Sequence, residues 1–113
     1  MLVVDDEPDV REVVRNILLR QGYEVLEAGD GVRAYELLRR LSGGIQLLVT
    51  ELQMPRMDGV ALGQIVSAQY PNIEVLYMSG SVSETPAQIP PRRFLPKPFR
   101  AEALVLCVQS LCA

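Results

Sequence analysis

Short apolar segments alternate with amphipathic helical patterns along this chain of 113 residues, and this alternation restricts its possible folds more than any other feature. Five segments have the length and composition of strands: residues 2–4, 23–28, 45–50, 73–78 and 93–95. Most of them are followed by a pattern in which apolar side chains recur every three or four residues. Strands and helices that alternate over short connections predict a parallel sheet covered by helices on both faces. We therefore expect a doubly wound α/β fold and one domain over residues 1–113.

Local signals predict where the helices begin and which side faces the sheet. Pro8 suits the first turn of a helix, Asp30 is a plausible N-cap, and Asp58-Gly59 opens the third helix. Segment 81–93 carries three prolines, which predict a truncated helix or an irregular loop there. The side chains predicted to face inward are Val10, Val13, Val14, Ile17 and Leu18, then Ala34, Leu37, Leu38 and Leu41, then Leu62, Ile65, Val66 and Gln69, and finally Leu104, Cys107, Val108 and Leu111.

Composition excludes several classes of protein. Hydrophobic residues make up 49% of the chain and charged residues 22%, which is enough apolar material for one core and argues against disorder. The net charge of −3 argues against a nucleic-acid surface, and the pairs Arg39-Arg40 and Arg92-Arg93 are interpreted as solvated charge. No apolar run is long enough to span a membrane and no signal peptide is visible, so we expect a cytoplasmic protein. The two cysteines, five residues apart, are interpreted as reduced thiols that are buried or half-buried.

Polar residues follow four of the predicted strands directly. Asp5 and Asp6, Glu51, Ser79 and Lys97 come from separate parts of the chain, yet the carboxyl ends of parallel strands meet at one rim of a sheet. Three carboxylates at one rim suit Mg²⁺, which prefers hard oxygen ligands. Each residue also has a simpler interpretation. Asp5 or Asp6 would cap the first helix, Ser79 would be a turn residue, and Lys97 would be a surface lysine.

Four motifs together resemble the response-regulator receiver domain of two-component signalling. They are "VVDDE", "ELQMPRMDG", "MSG" and "FLPKPF", and the similarity extends over nearly the whole chain. The resemblance implies a flavodoxin-like receiver fold with strand order 2-1-3-4-5, here with a shortened fourth helix. It also implies a regulatory domain in a phosphorelay rather than an enzyme, with a histidine kinase or a phosphotransfer domain as its partner.

The resemblance further implies a role for each matching position. Asp6 would bind Mg²⁺ directly, Asp5 would act mainly through water, and the backbone carbonyl of Gln53 would be a further ligand. Ser79 and Lys97 would engage the phosphoryl group, and Phe94 would occupy the aromatic switch position. "VLYMSG" with "FLPKPF" is also similar to receivers attached to hybrid sensor kinases. The domain either acts alone or is a piece of a larger polypeptide with further domains, and the start of the chain inside the first strand favours the piece.

Glu51 departs from the family, which has aspartate at this position. Glutamate moves the carboxylate outward by one carbon–carbon bond, roughly 1.5 Å, and a misplacement of about 1 Å can cost about 100-fold in rate. It also supplies a charge of −1 where a phosphoryl group carries roughly −1.5 to −2. We therefore predict a poorly phosphorylated domain in which Glu51 partly mimics the phosphorylated state and pairs with Lys97.

The sequence leaves alternatives open. A phosphorylation-independent interaction scaffold on the same fold is the main alternative function. For Glu51 itself, an engineered aspartate-to-glutamate change is another explanation. A flavin module is disfavoured because "DDEPD" after the first strand would repel a phosphate. Asp5 with Glu7 has the spacing of a Mg²⁺-dependent phosphohydrolase, but the chain is too short for a substrate cap.

Overall fold

The computed structural model describes residues 1–42, 44–80 and 89–112, in which five parallel strands form one sheet. The strand order is β2-β1-β3-β4-β5, as predicted. The elements in chain order are β1 (Leu2–Val4), α1 (Pro8–Arg20), β2 (Leu26–Ala28), α2 (Gly31–Arg40), β3 (Leu47–Glu51), α3 (Gly59–Gln69), β4 (Glu74–Ser79), a 3-10 turn (Pro91–Arg93), β5 (Phe94–Pro96) and α4 (Ala101–Leu111).

Two apolar clusters, one on each face of the sheet, form the core. Helices α2 and α3 contribute to one cluster, and α1 and α4 contribute to the other. Adjacent residues of the central strand β1 point to opposite faces, so Leu2 and Val4 belong to the first cluster and Val3 to the second. Every residue of β1 and β3 is buried. This burial on both sides explains why β1 and the first three residues of β3 are all apolar.

The predicted helix starts are confirmed by hydrogen bonds at their first turns. The carboxylate of Asp30 accepts the backbone N–H of Arg33 at 2.8 Å, and that of Asp58 accepts the N–H of Ala61 at 2.8 Å. Each bond satisfies a backbone donor that has no partner inside the helix. Pro8 is the first residue of α1, where its missing N–H costs nothing.

Two element predictions need correction or lie outside the described residues. The second strand was expected over residues 23–28, but β2 covers only Leu26–Ala28 because β1, its neighbour, offers only three residues for pairing. The truncated helix or loop expected over 81–93 falls mainly on 81–88, which lie outside the described residues. In the described remainder, Pro91–Arg93 forms the single 3-10 turn.

The predicted inward faces are too wide at their edges. Val13 is 54% exposed and Leu41 is 41% exposed, whereas Val14 and Leu38 beside them are fully buried. Gln69 is also exposed at the end of α3. A period of three to four residues defines the direction of a helix face but not the width of its contact with the sheet.

Arg93 was expected to be solvated, and this prediction is wrong. Its guanidinium lies 2.6 Å from the carboxylate of Glu74 and donates to the carbonyl of Val75 at 3.2 Å, and its side chain is 22% exposed. Arg92 beside it is exposed, as predicted. The difference arises because only one of two adjacent side chains can turn toward β4.

Candidate functional site

The residues predicted to gather at the carboxyl rim of the sheet do lie together. Asp5 follows β1, Glu51 ends β3, Ser79 ends β4, and Lys97 follows β5. Asp5, Glu51 and Ser79 are buried. Burial of the two carboxylates is unusual unless they are paired. Parallel pairing of β1, β3, β4 and β5 brings these separate chain segments to one place.

Lys97 bridges the two buried carboxylates. Its Nζ lies 3.0 Å from Oδ2 of Asp5 and 3.1 Å from Oε1 of Glu51. The Lys97–Glu51 contact predicted from the sequence is therefore present. The backbone supports it, because Lys97 N–H donates to the Ser79 carbonyl at 2.9 Å. The following Lys97–Pro98 bond is cis.

The charge of Lys97 is stabilised by this arrangement. Burial by itself lowers the pKa of the ammonium group, but the hydrogen bonds and negative charges of Asp5 and Glu51 outweigh that effect. The pKa of Lys97 therefore lies above its ordinary value. The lysine stays protonated at neutral pH, and the three charges together sum to −1.

Both oxygens of Glu51 have hydrogen-bond partners. Oε1 accepts from Lys97, and Oε2 accepts the backbone N–H of Leu52 at 2.8 Å. The same N–H also points to the carbonyl of Met78 at 3.0 Å. Since the longer glutamate side chain turns back onto its own backbone, its carboxylate is held rather than extended into solvent.

Asp5 and Asp6 have different surroundings. Asp5 is fully buried, and its Oδ1 accepts the N–H of Glu7 at 2.9 Å. Asp6 is exposed and lines a cleft of about 330 Å³ together with Glu51, Gln53 and Lys97. The N-cap of α1 is Glu7, without a side-chain capping bond, so neither aspartate is the helix cap that the simpler interpretation required.

The oxygen donors of this cleft are of the kind that Mg²⁺ binds. Within residues 1–42, 44–80 and 89–112, no three His, Cys, Asp or Glu side chains are grouped so that they could hold a metal ion. Mg²⁺ needs fewer, because it keeps several waters and binds through one or two carboxylates. Asp6, Glu51 and the Gln53 residue line one cleft and offer only oxygen ligands of this kind, apart from the Gln53 side-chain nitrogen.

Ser79 and Phe94 lie where the sequence predicts them. Ser79 is 3% exposed, and its Oγ has no hydrogen-bond partner among the described residues. Phe94 is half-buried and packs against the core on the α2 and α3 side. Their switch roles stay predictions.

Sequence reasoning missed two arginines that touch the surroundings of the site. Arg11 on α1 donates to the backbone carbonyl of Asp5 at 2.7 Å and to Glu27 on β2 at 3.3 Å. Arg56, in the loop after β3, contacts the carboxylate of Asp30. Arg56 lies within "ELQMPRMDG", but its partner is 26 positions away, and Arg11 belongs to none of the four motifs.

Within the part of the chain that the structure describes, no helix has the length and apolar character needed to cross a membrane.

Comparison with known proteins identifies relatives over almost the full length. The family model of the response regulator receiver domain matches residues 1–109. The sensor kinase CckA of Brucella abortus (strain 2308) is 34% identical over 115 aligned residues, covering 98% of this chain and 12% of that kinase. The response regulator MprA of Mycobacterium leprae (strain TN) is 35% identical over 115 residues, covering 98% of this chain and 50% of that protein. The chain thus spans half or less of these two relatives.

A crystal structure shows the same likeness in three dimensions. The crystal structure of the receiver domain from the hybrid histidine kinase CckA superposes with a TM-score of 0.84 at 33% identity, covering 99% of this chain and 97% of that one.

Proposed function

The chain belongs to the response-regulator receiver family, and from this membership we propose that it is an atypical phosphorelay receiver in which Glu51 takes the place of the phosphoacceptor aspartate. In this proposal Glu51 is a poor phosphoryl acceptor and partly reproduces the charge of the phosphorylated state. Any phosphoryl transfer would be to the domain itself.

The observation that carries the proposal is the pair of contacts made by Lys97. Its ammonium lies within 3.1 Å of Glu51 and within 3.0 Å of Asp5. A lysine at this position is suited to a phosphoryl oxygen, as a point charge with three donors. Here the Glu51 carboxylate already accepts a hydrogen bond from this lysine.

Poor acceptance follows from the geometry of Glu51. A phosphoryl transfer needs the attacking oxygen in line with the phosphorus and the leaving oxygen. Oε1 is held by Lys97 and Oε2 by the N–H of Leu52, so the direction in which each oxygen could attack is fixed by these partners. A shorter aspartate would place its oxygens closer to the strand, where the family has them.

Mimicry of the phosphorylated state is only partial in this proposal. Glu51 reaches Lys97, whereas Ser79 Oγ is buried and without a partner among the described residues. A phosphoryl group has three free oxygens in a tetrahedral arrangement and could engage both side chains, whereas the planar Glu51 carboxylate contacts Lys97 and the Leu52 N–H but not Ser79 Oγ. We infer that the lysine contact of the activated state is permanently made and that the serine contact is not.

Mg²⁺ is part of the same proposal. The buried charges of Asp5, Glu51 and Lys97 leave an excess of −1, and exposed Asp6 adds a second negative charge beside the cleft. A divalent cation would offset this repulsion. When bound, Mg²⁺ would neutralise charge on a phosphoryl oxygen, and Asp6, Glu51 and the Gln53 carbonyl are the residues that would hold it.

The proposed partners are a histidine kinase or a phosphotransfer domain. Similarity to a segment that covers only 12% of the CckA sensor kinase supports a further proposal, namely that other domains of the same polypeptide accompany this one.

The test is phosphorylation by acetyl phosphate with Mg²⁺, read by intact mass, on the parent and on Glu51→Asp. In the variant, a carboxylate oxygen forms a bond to phosphorus while the acetate oxygen leaves with its electron pair. We expect a mass gain of one phosphoryl group in Glu51→Asp and at least about 100-fold slower gain in the parent. Lys97→Met in the Glu51→Asp background is the control for a competent pocket.

Equal labelling of parent and variant would contradict the proposal that glutamate silences the pocket. If neither protein is labelled, the scaffold alternative is favoured. That alternative, a phosphorylation-independent interaction domain, has one observation on its side: both Glu51 oxygens are already bonded within the protein.

A further inference from the structure

We propose that the ion pair between Arg56 and Asp30 positions the loop that carries Gln53, and this proposal rests on the cation pocket of the proposed function. The loop, residues 52–58, joins β3 to α3 and begins directly after Glu51. Asp30 lies on a different part of the chain, between β2 and α2. The ion pair therefore connects two loops at the same rim of the sheet.

The base of the loop is closed by backbone contacts. The N–H of Gly59 donates to the carbonyl of Leu52 at 2.8 Å. A Cβ atom on residue 59 would lie 2.1 Å from the carbonyl oxygen of Glu51, so only glycine allows this approach. The two ends of the loop are thus held next to the carboxylate of the site.

The outer part of the loop is held by Asp30. The guanidinium of Arg56 contacts the Asp30 carboxylate, whose side chain is only 12% exposed. The same carboxylate accepts the backbone N–H of Arg33 and so caps α2. Because Asp30 is fixed to the end of a helix, it is a rigid anchor for a loop residue.

A second contact brings the loop backbone onto the same helix end. A Cβ atom on residue 31 would lie 2.7 Å from the carbonyl oxygen of Met57 and 2.9 Å from its Cβ. Gly31 is the first residue of α2, so Met57 lies directly against the helix that Asp30 caps. Gln53 lies between the closed base and this anchored outer part.

The backbone conformation of Arg56 is one that arginine rarely adopts. Its φ is +70°, a left-handed conformation that glycine adopts freely and other residues rarely adopt. Glycine at this position would remove the backbone strain but also the guanidinium. The ion pair with Asp30 is the contact by which the arginine side chain offsets this backbone strain.

The experiment compares Arg56→Ala and Arg56→Gly with Arg33→Ala as the matched control. Arg33 lies 3.8 Å from the same carboxylate, but it belongs to α2 and not to the loop. Amide hydrogen exchange of residues 52–58 is measured without metal, and Mg²⁺ affinity is measured by titration with MgCl₂. Arg56 is 59% exposed, so its variants should fold.

Both Arg56 variants should exchange their loop amides about two- to fivefold faster than Arg33→Ala, the effect of losing one exposed ion pair. Mg²⁺ affinity should fall by a similar factor. If Arg56→Gly exchanges as slowly as the parent, the backbone conformation holds the loop and the proposal is overturned. The same conclusion follows if Arg33→Ala loosens the loop equally.

Failure of the proposed function would look different. If the parent binds no Mg²⁺ while both Arg56 variants loosen the loop, the cation pocket fails and the positioning role stands. If the parent binds Mg²⁺ and the Arg56 variants change neither exchange nor affinity, the positioning role fails and the pocket stands.

Discussion

At the scale of single residues, Lys97 is the side chain on which the site depends most. It is 14% exposed, whereas Asp5 is fully buried and the Glu51 side chain is 9% exposed. Two carboxylates this close would repel each other without a cation between them. The ammonium group thus makes the burial of both acids possible.

Replacing Lys97 by methionine should therefore destabilise the fold. We expect Lys97→Met to lower the free energy of unfolding at pH 7 by about 3 kcal/mol, because it leaves buried carboxylates unpaired. Glu51→Gln in the same background should restore part of the loss by removing one of those charges. Urea denaturation measures each variant.

Arg92→Met is the control, since Arg92 is an exposed cation near the same strand. Its expected effect is within about 0.5 kcal/mol. A Lys97→Met protein no less stable than Arg92→Met would contradict a structural role for the lysine bridge.

At the scale of elements, the packing of α3 on β4 depends on one glycine. A Cβ on Gly63 would lie 1.8 Å from the hydroxyl oxygen of Tyr77 and 2.7 Å from its Cζ. The ring of Tyr77 is buried against α3, which leaves no room for even a methyl group. The small residue in the middle of α3 is thus a packing requirement, although it lowers helix propensity.

Gly63→Ala should reverse the usual effect of alanine in a helix. Alanine is normally better than glycine by about 1 kcal/mol, but overpacking against Tyr77 should produce a net loss of about 1–3 kcal/mol. Thermal unfolding gives the change. Ser67→Ala, at an exposed position one turn later, should leave the melting temperature unchanged or raise it. A rise at both positions would show that Tyr77 moves aside readily.

At the scale of the whole molecule, stability should fall at both ends of the pH range. The backbone N–H of Arg33, followed by Arg56, holds the pKa of Asp30 below its ordinary value of 3.8. That contribution is present above pH 3.8 and is lost as pH falls through the lower folded pKa. The pKa of Lys97 is raised instead, so its contribution is present below 10.5 and is lost as pH rises through the higher folded pKa.

Other buried or half-buried groups add to the alkaline loss. Burial raises the pKa of Tyr77 and of the thiols of Cys107 and Cys112. Urea midpoints from acid to alkaline pH should therefore decline at both ends. Asp30→Asn should reduce the decline of the urea midpoint at acid pH, and Lys97→Met should reduce part of the decline at alkaline pH. Unchanged slopes in these two variants would contradict the assignment.

Sequence patterns predicted most of the fold. Alternating apolar segments and helical patterns were sufficient for the five strands, the parallel sheet and the helices that begin at Pro8 and after Asp30 and Asp58. They failed at the edges of faces, as at Val13 and Leu41, because periodicity does not report how far a neighbouring element extends. They also failed at Arg93, whose partner on β4 is 19 positions away.

The gathering of the site residues at one rim was also predicted from sequence, since each lies at or just after the end of a strand and parallel strands end at one rim. The bonding pattern of the site was decided by tertiary structure. Only the fold shows that Asp5 is buried and Asp6 exposed, that Glu51 turns back onto Leu52, and that Arg56 reaches Asp30. The physical reason is range. Strand and helix formation depends on neighbours a few residues apart, whereas burial and ion pairing depend on which distant segments the sheet brings into contact.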